Sequence, residues 1–235
     1  MKLFPNVHML SLGAPPDMKT YPVLVSDAAG HLLLIDAGLP GHEDTLVAAI
    51  ADVGFAAEKL THCILTHQDW DHLGAVMTLK KLAPALRVMA HETEAPYIDG
   101  RKLNIKLAAR LADYDNLSPE MQERSDFQKA FYETQNIVID DLLQDDTRLP
   151  IGGGVRIIHT PGHTPGHVVV LLEESKILVC GDALNIRDNQ MVGPTPMHTH
   201  AIDEGMRSFE KVMAVADAEN AAGFVTYHGG WLARG

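Results

Sequence analysis

Two histidines and two aspartates fall within six positions in the run Thr66-His67-Gln68-Asp69-Trp70-Asp71-His72. Carboxylates crowded in this way repel one another unless protons or cations neutralise them. Imidazole nitrogen and carboxylate oxygen are also the donors that zinc, iron(II) and similar divalent ions accept. Three further groups of the same types stand at His163, Asp182 and His228. The seven are spaced as two metal sites would need. A divalent ion lowers the pKa of bound water from 15.7 to about 7, so hydroxide becomes available at neutral pH. A carboxylate between two ions can give one oxygen to each, and Asp182, after a buried strand and the permissive Gly181, is the natural bridge.

These donors need rigid supports, and the hydrophobic pattern supplies them. Strands are expected over 7–12, 21–26, 32–35, 62–65, 88–90, 155–159, 167–172, 176–180 and 223–227, and helices over 44–53, 73–82 and 202–216. Pro15-Pro16 and Ala29-Gly30 are turn signals. The donors follow predicted strands, after Leu65, His159, Cys180 and Tyr227, where function collects in layered α/β folds. Thr160-Pro161-Gly162-His163-Thr164-Pro165-Gly166-His167 reads as a rigid turn that ends one strand at His163 and begins the next at His167. Composition changes over 92–131, where charged residues alternate with Leu, Ile, Tyr and Phe and Ser118-Pro119-Glu120 is a good helix start. This segment is expected to be a helical insertion, not a separate domain. It would form a pocket wall, or alternatively a homodimer contact, and its apolar content suggests an apolar acyl portion in a substrate.

At 235 residues the chain suits one domain spanning 1–235. Its 46% apolar and 21% charged residues are those of a globular protein. The net charge of -12 argues against nucleic acid as a partner, which would want a basic stripe. No apolar run approaches the ~18 residues of a membrane span, and the first residues lack a signal peptide's pattern. A cytoplasmic protein acting on a small molecule, with no membrane partner, is the expectation. Cys63 and Cys180 lie in apolar runs and read as reduced core thiols.

The ordered motifs Leu34-Ile35-Asp36-Ala37-Gly38, the His67 run, the Pro-Gly-His turn, Gly181-Asp182 and His228-Gly229-Gly230 resemble those of the metallo-β-lactamase superfamily over nearly the whole chain. The resemblance implies an α/β fold, a four-layer αββα sandwich of two mixed β-sheets with a dinuclear centre at one edge. It assigns His67, position 69 and His163 to one ion and Asp71, His72 and His228 to the other, with Asp182 bridging. Asp71 would also orient the attacking hydroxide, and Asp36 would support the ligand loops. Two divalent ions are implied. Zinc is the first expectation, while Asp69, standing where the family pattern His-x-His-x-Asp-His has a second histidine, admits iron or manganese. A reading in which Asp69 does not ligate leaves a mononuclear site.

The implied activity is hydrolysis of a small ester, lactone or thioester by a metal-bound hydroxide. Lactamases of the commonest type carry Cys at the bridging position, where this chain has Asp182. Glyoxalase II enzymes continue into a C-terminal helical region, whereas seven residues follow His228 here. Quorum-signal lactonases usually carry a Tyr in the loop after the bridge, absent between Asp182 and Tyr227. Flavodiiron proteins, which place Glu at the position of Asp69, suggest an alternative di-iron centre that reduces oxygen or nitric oxide. A metal-binding module without turnover is a third. Among the other histidines, His198 and His200 follow Gly193-Pro194-Thr195-Pro196, a loop that the resemblance brings near the site's mouth, where they read as substrate contacts or as residues of an exposed loop. His8, His31, His42, His62, His91 and His159 read as surface or core residues, His167 as a residue that orients the turn, and Tyr227 as core packing.

Overall fold

Alternate residues of the strands face opposite ways, and here both faces of each sheet are apolar, so each sheet is covered on both sides. In the computed structural model, which describes residues 1–13, 19–135 and 137–234, this produces four layers. The expected turn at Pro15-Pro16 lies outside the described residues. The chain runs through β1 (Lys2–Phe4), β2 (Val7–Met9), β3 (Val23–Ser26), β4 (Leu32–Ile35), α1 (Glu43–Asp52), β5 (His62–Leu65), α2 (Trp70–Leu73), α3 (Val76–Leu82) and β6 (Arg87–His91). Then come α4 (Ala95–Ile98), α5 (Ile105–Leu111), α6 (Pro119–Thr134), β7 (Asp141–Leu143), β8 (Arg148–Leu149), β9 (Val155–His159), β10 (Val168–Leu172) and β11 (Ile177–Val179). The last elements are β12 (Asn185–Arg187), β13 (Gln190–Val192), α7 (Ile202–Ala218), β14 (Gly223–Thr226) and β15 (Gly230–Ala233).

Strands β1 to β7 form one sheet in sequence order, and β15-β14-β11-β10-β9-β8 form the second, while β12 and β13 make a separate ribbon. Both large sheets are mixed: β4 to β7 run parallel, as do β11 and β14, beside antiparallel pairs. Leu33, Ile35 and Ile64 point inward to meet Ile157, Val170 and Val225 between the sheets. Their alternates Leu34, Cys63 and Leu65 face outward onto Leu46, Ile50 and Leu79 of the helices. On the far side, Val169, Leu171 and Leu178 pack against Val212 and Ala216 of α7. The period of two along each strand therefore builds the αββα order directly.

One expected helix is interrupted. The apolar spacing predicts a continuous helix over 73–82, yet the N–H groups of Gly74 and Ala75 donate to Gly38 and Ala37 carbonyls at 2.8 and 3.1 Å, not along a helix. A Cβ on Gly74 would collide with the Leu39-Pro40 backbone, so only glycine allows the close approach. The break frees α2 to carry Asp71 and His72 at the end of β5. The helical insertion is present but runs three residues further than the expected 92–131, to Thr134. The short strands β1, β7, β8, β12, β13 and β15 have no counterpart in the sequence expectation; spans this brief carry too little alternation to register.

Candidate metal centre

The seven donors come from both sheets. His67, Asp69, Asp71 and His72 leave the end of β5 in the first sheet, and His163, Asp182 and His228 leave β9, β11 and β14 in the second. Six of them gather into two groups, His67 with His163 and Asp182, and Asp71 with His72 and His228, each with its donor atoms mutually within 4.8 Å. Asp182 faces both: its carboxylate oxygens lie 3.5 Å from His163 Nε2, 3.4 Å from His228 Nε2 and 3.6 Å from His72 Nε2. Asp71 Oδ2 stands 3.3 Å from His228 Nε2.

Whether a cation suits this place can be read from what is left unpaired. His67 Nε2, His72 Nε2 and Asp182 Oδ1 are buried without a hydrogen-bond partner. Buried polar atoms are ordinarily satisfied, and a donor set of imidazole and carboxylate aimed at a common point fits a divalent ion. The residues present therefore fit two ions, with one exception.

Asp69 is that exception. Its Oδ2 lies 3.3 Å from His67 Nε2 and 3.0 Å from His163 Nε2, within reach of the first group. The same oxygen accepts from Lys106 Nζ at 2.5 Å, and that ammonium is 2.7 Å from His163 Nε2. Asp69 Oδ1 accepts from Asn104 Nδ2 at 3.1 Å. The carboxylate is thus already matched by a protein cation, and the Lys106 charge, with His163 and His67, holds it well below the usual range despite burial. Where the family pattern has a second imidazole, this chain has an ion pair with the insertion.

Supports behind the donors are mostly fully buried. Asp36 takes a left-handed backbone (φ 62), a strained conformation for a non-glycine residue at the end of β4. Its carboxylate accepts from Thr66 N at 2.8 Å and stands 2.9 Å from His72 Nδ1. This orients the imidazole so that Nε2 faces the group. His167 Nε2 accepts from Asp182 N at 3.1 Å, and its Nδ1 meets Thr160 Oγ1 at 2.8 Å, so it fixes the backbone of Asp182. Gly181 has φ +50, and a Cβ there would press on His167 and Thr66, which explains glycine before Asp182.

Burial and the His72 charge push His67 down to about 4. Burial also opposes charge on His72, yet Asp36, Asp182 and Asp71 outweigh it and raise that group to about 10. His228, likewise against burial, is raised to about 11 by Asp182 and Asp71. The second group therefore holds protons at neutral pH when no metal competes for it.

A cavity of about 630 Å³ opens over both groups. His198 lines it, whereas His200 does not; the latter's backbone N–H donates to the His163 carbonyl at 3.3 Å, which ties the 193–200 loop to a donor. Helices α5 and α6 do form a wall, and its lining is mixed: Met121 and Tyr132 of α6 join Trp70, Leu184 and Met197 as apolar members. Lys106, Arg110, Arg124 and Gln128 face the cavity, while Leu107 and Phe131 turn to the core beneath the first sheet. An amphipathic helix turns one face to the core, and here Leu107 and Phe131 lie on that face while the charged residues look into the cavity.

Four supporting roles escape a reading of the sequence. Glu94, wholly buried, accepts from Gln68 N at 2.9 Å, Gln68 Nε2 at 3.0 Å and Gly166 N at 2.6 Å, which clamps the His67 loop to the Pro-Gly-His turn. Asn104 caps α5 through its Oδ1 while donating to Asp69. Its position just before a helical run was a usable N-cap signal. Lys106 gave no signal except the odd Asp69 it neutralises. Tyr227, expected only to pack, donates its hydroxyl to the Asp71 carbonyl at 2.7 Å, accepts from Gly38 N at 3.0 Å and lays its ring 3.8 Å from that of His72.

Comparison with known proteins extends this picture. A family profile described as the metallo-beta-lactamase superfamily matches residues 17–220. A probable metallo-hydrolase of Bacillus subtilis is 28% identical over 156 residues, 65% of this chain and 55% of that protein. An N-acyl homoserine lactonase of a Bacillus species is 26% identical, over 63% of this chain and 48% of its own length. The chain spans about half the length of the curated relatives it matches. Among solved structures, a metallo-beta-lactamase family protein of Thermus thermophilus superposes with a TM-score of 0.75 at 26% identity, covering 99% of this chain and 76% of that one.

Proposed function

The chain belongs to the metallo-beta-lactamase superfamily, and from that premise we propose that it is a metal-dependent hydrolase of a small ester, lactone or thioester. The observation that carries the reading is the pair of three-donor groups at the floor of an open cavity, with Asp182 of the first also 3.6 and 3.4 Å from His72 and His228 of the second. Divalent ions held there, zinc before iron or manganese, would supply a water acidified to neutral pH and positive charge for a developing oxyanion. His67, His163 and Asp182 would hold one and Asp71, His72 and His228 the other, with Asp69 joining the first set only on leaving Lys106. Asp71 is the residue assigned to orient the attacking water, because its backbone is pinned by the Tyr227 hydroxyl and its carboxylate faces His228 across 3.3 Å. The Thr66, Asp36 and His167 contacts keep the donors from turning, so little reorganisation remains for the reaction. The similarity to a homoserine lactonase supports a cyclic or acyclic carboxylic ester as substrate.

Metal analysis of the purified protein followed by assay against lactones, thioesters, aryl esters and phosphodiesters tests this. Zinc- or manganese-dependent cleavage of a carboxylic ester or thioester is the expected result. Iron with oxygen consumption and no hydrolysis would overturn it in favour of an oxygen-reducing centre, for which the carboxylate at Asp69 is the one supporting feature. A metal-replete protein inert to every substrate would instead make it a binding module.

A further inference from the structure

The wall of the cavity carries a charge opposite to that of the chain. The protein has 31 acidic against 19 basic residues, so a surface arginine has many carboxylates to choose from. Arg87, Arg101, Arg148, Arg156 and Arg234 each have such a partner. Among the described residues, Arg110, Arg124, Arg187 and Arg207 have none, and the first three line the cavity, as do Lys19 and Lys106. The carboxylates among the described residues of that lining are Asp69, Asp71 and Asp182, all of them candidate metal donors.

Arg110 is the most telling. It is half-buried at the last turn of α5, its Nε is buried with no acceptor, and its terminal nitrogen donates to the neutral Gln128 side chain on α6. Arg124, one turn before Gln128 on α6, faces the same space. Two like charges on adjoining helices, one of them partly desolvated, are unfavourable unless an anion sits between them. The guanidinium fork is shaped for a carboxylate or phosphate, which it binds through paired N–H donors.

We propose that Arg110 and Arg124 form an anion subsite, so that the substrate is an ester, lactone or thioester with a carboxylate or phosphate remote from the bond cleaved. This rests on the hydrolase reading above for the scissile bond, and on the arginines alone for the anion. The apolar acyl portion expected from the composition of the insertion is compatible with it, because Met121, Tyr132, Leu184 and Met197 line the same cavity. Lys106 does not belong to the subsite, because its ammonium is already taken by Asp69.

Three 4-nitrophenyl esters of equal chain length test it on the metal-loaded protein: the hydrogen glutarate, the 4-phosphonobutanoate and the neutral methyl glutarate. One or both anionic esters should exceed the neutral one at least about tenfold in kcat/KM, the usual worth of a charged hydrogen-bonded contact. Which anion is preferred distinguishes a carboxylate from a phosphate substrate. That ratio should fall toward one in R110M and in R124Q, the latter at an exposed position that leaves the fold intact. Equal cleavage of all three by wild type would overturn the subsite and leave the hydrolase standing. If none is cleaved, calorimetric titration of glutarate and phosphate into wild type, R110M and R124Q at equal metal content decides separately. At least about tenfold weaker binding in the variants upholds the subsite, and equal affinity overturns it.

Discussion

At the scale of single residues, the decisive contest is between Lys106 and a metal ion for the same two partners, Asp69 and His163. The ammonium lies 2.5 and 2.7 Å from them, a place where a divalent ion would meet strong repulsion. A unit charge at about 4 Å in a medium of effective dielectric about 20 is worth about 4 kcal/mol. The first group should therefore fill after the second, and Lys106→Met should raise its affinity by at least about tenfold. Elemental analysis after dialysis against graded chelator reads this as a second ion retained at chelator levels that strip it from wild type; identical ion content would show that Lys106 does not compete. Tyr227 offers a complementary test. Its hydroxyl satisfies a buried carbonyl and a buried N–H at once, so Tyr227→Phe strands both at about 1–3 kcal/mol. Urea unfolding should show that loss in midpoint without a change in slope.

Elements rather than residues explain why the centre is preorganised, and also why only part of it was legible. The loop after β5 and the turn after β9 belong to different sheets, and Glu94 at the head of α4 joins them through three N–H donors. Glu94→Gln presents an amide NH2 where only acceptors fit, so it should cost about 1–3 kcal/mol and loosen metal retention together; unchanged melting and ion content would mean that the clamp is incidental. The strands β4, β5 and β9 were readable to the residue because short, dense apolar runs mark them. The donors were readable because their types are rare in such company. Glu94, Lys106 and the contact of Asn104 with Asp69 were not, because each acts across a sequence gap that only the folded insertion closes. The arginines of the cavity wall escaped for a related reason: composition reports that α5 and α6 are amphipathic but not which face the first sheet claims.

Across the whole molecule, the centre lies where the two sheets meet, four donors from one and three from the other. Ions bound there would hold the two sheets together, since any ligand that binds only the folded state stabilises it by mass action. At an ion concentration 100 times Kd this is about 2.7 kcal/mol, or about 5–10 °C in a chain of this size. Its pH dependence follows from His72, raised to about 10, and His228, raised to about 11. Without metal, raised folded values mean that these histidines stabilise the fold fully below pH 6.5, and that this contribution is lost as pH climbs through 10 to 11. With metal, each ion entering the second group must displace those protons, so affinity rises with pH by up to about 100-fold per unit near neutrality. The two effects have opposite sign. Melting curves with zinc and with EDTA at pH 6, 7 and 8 should therefore separate progressively as pH rises. A gap that is constant or narrows would show that protons and metal do not share His72 and His228.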